Sequence, residues 1–241
     1  MRDPHIPARY DSAASLPQRD MRPAFKVILT PPFPAHPVVD LEGCTFSIVP
    51  ANDKVSAAGL DIAFFDGKPR LSARSCRFSL QATKKSSGTN LRGIMCGGPV
   101  ASFSDCSFEG VSMLSRAAKL ELQGCTFSGI PKQQGLVMLT GTATLSHCTF
   151  KGCMKAIELN HAPVDYDTPS ELIASHCYME SEGPTVDLQL GTGHATLTDC
   201  CLQSQEDVAL GLFEAGATAE RCVFTSTGRE MVIGVQGSRS L

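Results

Sequence analysis

Two acidic residues stand at matching positions of two similar segments, and their type and spacing make them the first candidates for chemistry. Glu158 and Asp187 each hold the third position of the segments 156–159 and 185–188. If the segments are neighbouring strands, the two carboxylates lie about 5 Å apart. Such a pair can perform retaining glycoside hydrolysis or bind Ca²⁺. The expected flanking positions carry no basic residue or further acid, so a solvated acidic pair is the preferred interpretation.

A second candidate site combines residue types that bind metal ions, namely His147, His176 and Asp199. Each stands immediately before a cysteine of a repeated motif. Stacked imidazoles and a carboxylate can hold Zn²⁺. The same position carries Gly124 in an earlier repeat and Arg221 in a later one. It therefore has the character of a variable turn position, and we expect neither a metal ion nor another cofactor.

Both candidates lie on a repeat that extends over residues 39–236. Eight units share a cysteine, an apolar residue two positions later that is usually Phe, and an apolar residue three positions earlier. These column cysteines are Cys44, Cys76, Cys106, Cys125, Cys148, Cys177, Cys200 and Cys222. A spacing of two puts the cysteine and the Phe on one face of a strand. A second alternating run follows each motif, and no unit contains a convincing amphipathic helix, which predicts stacked short strands.

The x-Cys-x-Phe ending, followed by an alternating strand, resembles the right-handed parallel β-helix of the pectate-lyase type over roughly residues 39–236. The resemblance implies an all-β, right-handed parallel β-helix solenoid of about eight coils over residues 39–241. We expect the cysteines to form an interior ladder of free thiols and the Phe residues to form a stacked spine. This fold hosts polysaccharide lyases, glycoside hydrolases and phage tailspikes. It also hosts non-catalytic interaction domains, including the Cys-containing repeats of some eukaryotic intracellular adaptors, so the fold leaves the function open.

Residues 1–38 differ from the repeats in composition. Eight of the 15 prolines fall there, and five basic residues against three acidic ones give a charge of +2. Proline fixes φ and removes a backbone donor. The segment is therefore predicted to be extended, either as a flexible tail or as an arm that lies along the domain or along a partner.

The overall composition restricts the class of protein. A net charge of −3 argues against a dedicated nucleic-acid or membrane-surface binder. Eleven cysteines cannot all pair, and no apolar signal region follows the polar segment Met1–Tyr10. We therefore expect a reducing, intracellular and cytoplasmic location, with the cytoskeleton or a cilium as candidate hosts. The absence of Trp and the presence of only three Tyr disfavour a carbohydrate enzyme.

These observations favour a non-enzymatic structural or interaction module that docks into a larger assembly through its arm and its open solenoid ends. An outward strand face that is mostly small or apolar, with Met138 and Ala209 beside the acidic pair, suits protein contacts better than catalysis. The expected interaction residues on this face and at the C-terminal end are Phe65, Met95, Met138, Met231, Ile233 and Val235. The alternative is a carbohydrate-active lyase or hydrolase centred on Glu158 and Asp187. A third acid, a Lys or an Arg converging on that pair in a cleft would favour the enzyme.

Overall fold

The structure is a computed structural model that describes residues 25–28, 38–48, 60–63, 70–80, 92–160, 170–189, 193–228 and 232–236. Within these ranges the chain is all-β, with 21 strands and no helix. In chain order the strands are β1 (Phe25–Ile28), β2 (Val38–Glu42), β3 (Thr45–Ile48), β4 (Leu60–Ala63), β5 (Arg70–Arg74), β6 (Arg77–Leu80), β7 (Arg92–Ser104), β8 (Ser107–Glu109), β9 (Ser112–Gln123), β10 (Thr126–Met138), β11 (Thr142–Ser146), β12 (Thr149–Leu159), β13 (Glu171–Ser175), β14 (Tyr178–Ser181), β15 (Val186–Leu188), β16 (His194–Thr198), β17 (Cys201–Ser204), β18 (Leu210–Phe213), β19 (Gly216–Glu220), β20 (Val223–Ser226) and β21 (Ile233–Gln236).

These strands pair in parallel and form three ladders. Ladder 1 comprises β2, β5, the ends of β7 and β9, β11, β13, β16 and β19. Ladder 2 comprises β3, β6, β8, the starts of β10 and β12, β14, β17 and β20. Ladder 3 comprises β1, β4, the starts of β7 and β9, the ends of β10 and β12, β15, β18 and β21. The repeating order of ladders 1, 2 and 3 along the chain is compatible with the predicted parallel β-helix.

One hydrophobic core takes side chains from all three ladders. Its origin is the alternation of each strand, as in β11, where Ala143 and Leu145 are buried while the other three residues of the strand are half-buried. In-register pairing then places like residues above one another, because equivalent positions of successive repeats become neighbours. The three sequence columns thus become three continuous lines of buried side chains.

A stack of Phe rings forms the centre of this core, as predicted. Successive ring centroids lie 4.9, 5.2, 4.3 and 4.5 Å apart, and the ring planes diverge by at most 15°. The stacked residues are Phe46, Phe78, Phe108, Phe127 and Phe150. Met179, Leu202 and Phe224 continue the same column by strand register.

The column cysteines are free thiols in the structure, and the interior six are buried. Their sulfurs lie close to backbone carbonyl oxygens. The Cys148 Sγ donates to the oxygen of Ser146 at 3.4 Å and to that of Leu122 in the preceding repeat at 3.5 Å. Burial raises the pKa of Cys76 in this column and, outside the column, that of Cys96 to about 11 and that of Cys153 to about 12. Hydrogen bonds between neighbouring column thiols lower the pKa of Cys106 and Cys148 and raise that of Cys125 and Cys177. Because the interior column sulfurs are buried, they act as small apolar groups that reagents do not reach.

The adjacent residues Cys200 and Cys201 provide a test of this register. Cys200 is 2% exposed, whereas Cys201 lies on the outward face and is partly exposed. We expect a thiol reagent to label Cys201 in the native protein and Cys200 only after denaturation. Mass spectrometry of the timed reaction measures both rates, and Cys201→Ser should remove the faster one. Equal labelling of the two thiols in the native state would contradict the assigned faces.

A single residue with positive φ precedes each column cysteine. These residues are Gly43, Ser75, Asp105, Gly124, His147, His176, Asp199 and Arg221, with φ between 51° and 61°. The left-handed conformation turns the chain from ladder 1 into ladder 2 within one residue, and the six non-glycine residues adopt it at a cost in backbone energy. The backbone conformation of this predicted turn is therefore the same in all eight repeats, and only the side chain varies.

Gly141, which precedes β11, has a stronger requirement for glycine. Its φ is 82°, and an added Cβ would lie 2.6 Å from the Ala118 carbonyl oxygen and would also overlap that of Ala117. Gly152, with φ of 64° and no atom nearer than 3.6 Å to an added Cβ, is the matched control. We expect Gly141→Ala to lower the free energy of unfolding by about 1–3 kcal/mol more than Gly152→Ala, because only the first adds a steric overlap. Urea denaturation compares the two, and similar losses would rule out the overlap.

The segment predicted as an extended arm contains one described strand. Phe25–Ile28 forms β1 and pairs in parallel with Leu60–Ala63, so this part of the segment extends ladder 3. Residues 1–24 and 29–37 of the predicted arm lie outside the described residues.

Candidate functional site

The acidic pair lies on ladder 3, and the predicted alignment of its two strands is confirmed. Glu158 pairs in register with Asp187. The neighbours in the same column are Val137 and Gly211 rather than the expected Met138 and Ala209. Both expected neighbours are fully buried in the core. The expected register was therefore wrong by one residue at Met138 and by two at Ala209.

Lys155 converges on the two carboxylates. Its Nζ lies 2.9 Å from Glu158 Oε2 and 2.5 Å from Asp187 Oδ2. The side chains of Lys155, Glu158 and Asp187 are 15%, 9% and 14% exposed, so the three charges form a largely desolvated network. One ammonium group thus bridges two strands of ladder 3.

Side-chain amides occupy further lone pairs of the same carboxylates. Gln134 Nε2 donates to Glu158 Oε2 at 3.0 Å, and Asn160 Nδ2 donates to Oε1 at 3.4 Å. Gln189 Nε2 donates to Asp187 Oδ2 at 2.8 Å. Hydrogen bonds of this kind satisfy the buried carboxylate oxygens as acceptors.

Lys155 is held in its charged form. Burial alone would lower the pKa of Lys155, but the hydrogen bond to Asp187 and the charge of Glu158 outweigh burial and raise the pKa above its ordinary value. A lysine that acts as a base or nucleophile must be neutral, so this environment opposes that role. The ammonium also occupies the position between the carboxylates that a divalent cation would need. The geometry therefore favours a structural ion network over a catalytic or Ca²⁺-binding pair.

Sequence reasoning found the acids but missed Lys155 and its amide neighbours. In strict alternation, residues three apart face opposite sides of a strand, so Lys155 and Glu158 should not meet. The register shifts in two of the strand pairs of β12, between Ile130 and Gln134 in its pairing with β10 and between Phe150 and Cys153 in its pairing with β14. Ala156 and Ile157 are consecutive and both fully buried, which marks the break in alternation. The available signal was the odd spacing of three residues between the oppositely charged Lys155 and Glu158 in one strand.

The second candidate, His147, His176 and Asp199, forms a stacked surface column. The two imidazole rings stack at 4.9 Å with 7° between their planes, and His176 Nδ1 lies 3.9 Å from Asp199 Oδ2. Arg221 donates to both Asp199 oxygens, at 2.7 and 2.9 Å, and these hydrogen bonds lower the pKa of Asp199. The carboxylate is thus committed to a guanidinium. In the part of the chain that the structure describes, no group of three or more His, Cys, Asp or Glu is arranged to hold a metal ion.

The apolar outward face of ladder 3 is not open for docking at its centre. Leu114 and Val137 occupy the same outward column as Glu158 and are only 2% and 7% exposed. Other parts of the same chain therefore cover them. Met138, which was expected on this face, is a core residue. The expectation failed because every residue of its strand segment is apolar, so the sequence does not show which side faces inward. The expectation of a flat apolar docking face is therefore wrong at these positions.

The remaining predicted interaction residues fall into three groups. Ile233 and Val235 in β21 are 43% and 71% exposed. Met95 is described as a backbone position of β7, in register with Asp61 and Leu114. Phe65 and Met231 lie outside the described residues.

Comparisons with known proteins assign no family. No protein-family model matches the chain, and no curated protein matches it at a significant level. The described ranges contain no helix long and apolar enough to cross a membrane.

Proposed function

We propose that the chain is a right-handed parallel β-helix of the non-catalytic, Cys-containing kind, which acts as a structural or interaction module within a larger intracellular assembly. Three parallel ladders that recur in one order along the chain support the coiled path. Parallel strand connections are right-handed in nearly all known cases, which supports the hand. The Lys155 network supports the non-catalytic role, because it neutralises the acids that an enzyme of this fold would use.

We call one strand from each of the three ladders a rung. The main support for the proposal is that the apolar end of the C-terminal rung is exposed. Leu210 is 2% exposed, whereas Ile233, its register partner in the last described strand, is 43% exposed. On ladder 1, Leu197 is fully buried while its partner Ala219 is exposed. Inward columns thus reach the end of the described solenoid uncovered. Solenoids require a cap or a partner at such an end.

The proposed partners are other proteins rather than nucleic acids or lipids. The formal charge of −3 offers no basic field for phosphates. The eleven free cysteines suit a reducing cytoplasm, and a cytoskeletal or ciliary assembly is the proposed host. Rigid rods of stacked strands suit such assemblies, since each repeat contacts only its neighbours and the rod keeps its shape.

Substitution at the exposed end tests the module. Val235→Lys places a charge on the proposed interface, whereas Ile173→Lys alters an apolar residue, 38% exposed, on the side of ladder 1. We expect the wild type and Ile173→Lys to elute from native cell extracts in a large complex and Val235→Lys to elute as a free chain. Elution of all three as the same free species would contradict the module.

A lysine that converges on Glu158 and Asp187 is the feature expected of the alternative, a carbohydrate-active lyase or glycoside hydrolase, but the raised pKa of Lys155 and its position between the two acids oppose that function. Purified protein is tested against polyuronates and neutral glycans for unsaturated or reducing-end products. We expect no product, and we expect Glu158→Gln with Asp187→Asn to leave assembly intact. Product formed by the wild type and lost in that double variant would establish the enzyme instead.

A further inference from the structure

The two ends of ladder 3 expose matching strand edges. β1 pairs with β4 at the N-terminal end, and β21 pairs with β18 at the C-terminal end. Among the described strands, each has a partner on one side only. Both strands run in the same direction within one parallel ladder, so the edge of β21 in one molecule fits the edge of β1 in another without a change of direction.

The inward columns lose their cover at both ends of the described solenoid. Near the N-terminal end, Val39 and Leu41 are half-buried, while their partners Leu71 and Ala73 are each 1% exposed. At the other end, Val235 is 71% exposed in the register column that begins with Val27. Inward apolar columns thus reach both ends of the described solenoid, where an additional rung would bury them.

We propose that a second copy of this chain is the partner, bound head to tail, with β21 of one copy pairing in parallel with β1 of the next. This inference rests on the proposed module function and names its partner. A head-to-tail contact leaves one open end on each molecule, so it generates filaments rather than closed dimers. Burial of the exposed apolar columns and pairing of both strand edges stabilise the contact.

Sedimentation velocity with variants blocked at one end tests the proposal. Val235→Lys blocks the C-terminal end, and Val27→Lys blocks the N-terminal end in the same register column. We expect the wild type to form species larger than dimers as its concentration rises, and each variant alone to remain monomeric. An equimolar mixture of the two variants should form a dimer and nothing larger, because only one compatible pair of ends remains. Ile173→Lys should behave like the wild type. Far-UV circular dichroism establishes that each variant is folded.

Three outcomes would overturn head-to-tail binding. They are a wild type that stays monomeric at every concentration, a Val27→Lys variant that still dimerises alone, and a mixture of blocked variants that stays monomeric. A monomeric wild type that nevertheless enters a complex in native extract would overturn this inference while leaving the module function in place.

Discussion

Replacement of Phe127 or Phe150 by alanine is expected to lower the free energy of unfolding by about 3–5 kcal/mol. Both rings are fully buried, and their centroids lie 4.5 Å apart with 4° between their planes. Phe127 also stacks on Phe108 at 4.3 Å. Each substitution removes an aromatic ring from inside the stack and leaves a cavity that the parallel ladders on either side cannot close.

Thr149→Ala is the matched control for this prediction, because Thr149 directly precedes Phe150 and is half-buried on the outward side of β12. We expect its effect to stay within about 0.5 kcal/mol. Urea denaturation followed by far-UV circular dichroism measures both changes. If Thr149→Ala and Phe150→Ala shifted the transition equally, the inward column would be misassigned.

The repeats allowed much of the fold to be predicted, because eight units repeat one pattern of three columns. Cys148 and Phe150 are two residues apart, with Thr149 between them, and this spacing is enough to place both in the core. Parallel in-register pairing then propagates that assignment from repeat to repeat. An error in one unit is corrected by its neighbours, which is why the Phe stack and the thiol column agree with the sequence.

The outward face of ladder 3 could not be read in the same way. The run Leu136, Val137 and Met138 is apolar at every position, so alternation carries no signal about which side is inward. Pairing with Glu158 fixes Val137 as the outward residue, and that information lies in a neighbouring repeat. The cover over Val137 and Leu114 is likewise a tertiary property, which local spacing does not encode.

The Lys155 network leads to the second large prediction. Lys155→Met keeps the apolar stem of the side chain but leaves Glu158 and Asp187 as two desolvated anions on adjacent strands. Removal of one partner from a buried ion pair costs about 3–5 kcal/mol, and the 9–15% exposure of these side chains places the expected loss near the lower limit. Urea denaturation at neutral pH measures it.

Two controls separate this network from an ordinary surface ion pair. Lys119→Met removes the partner of Glu121 from an exposed pair and should change stability by less than about 1 kcal/mol. Combination of Lys155→Met with Glu158→Gln and Asp187→Asn removes all three charges, and we expect much of the lost stability to return. A triple variant as unstable as Lys155→Met alone would mean that the packing of the lysine, and not its charge, stabilises the site.

The alkaline limit of stability should identify the same lysine. Because the pKa of Lys155 is raised on folding, its contribution to stability is fully present below the ordinary lysine pKa and is lost as the pH rises through the raised value. The stability difference between the wild type and Lys155→Met should therefore be constant from neutral pH to about pH 9 and should shrink above about pH 10.5. Urea denaturation of both proteins across this range measures the difference, with Lys119→Met as the reference. A difference that stayed constant to pH 11.5 would mean that the bridging ammonium does not stabilise ladder 3.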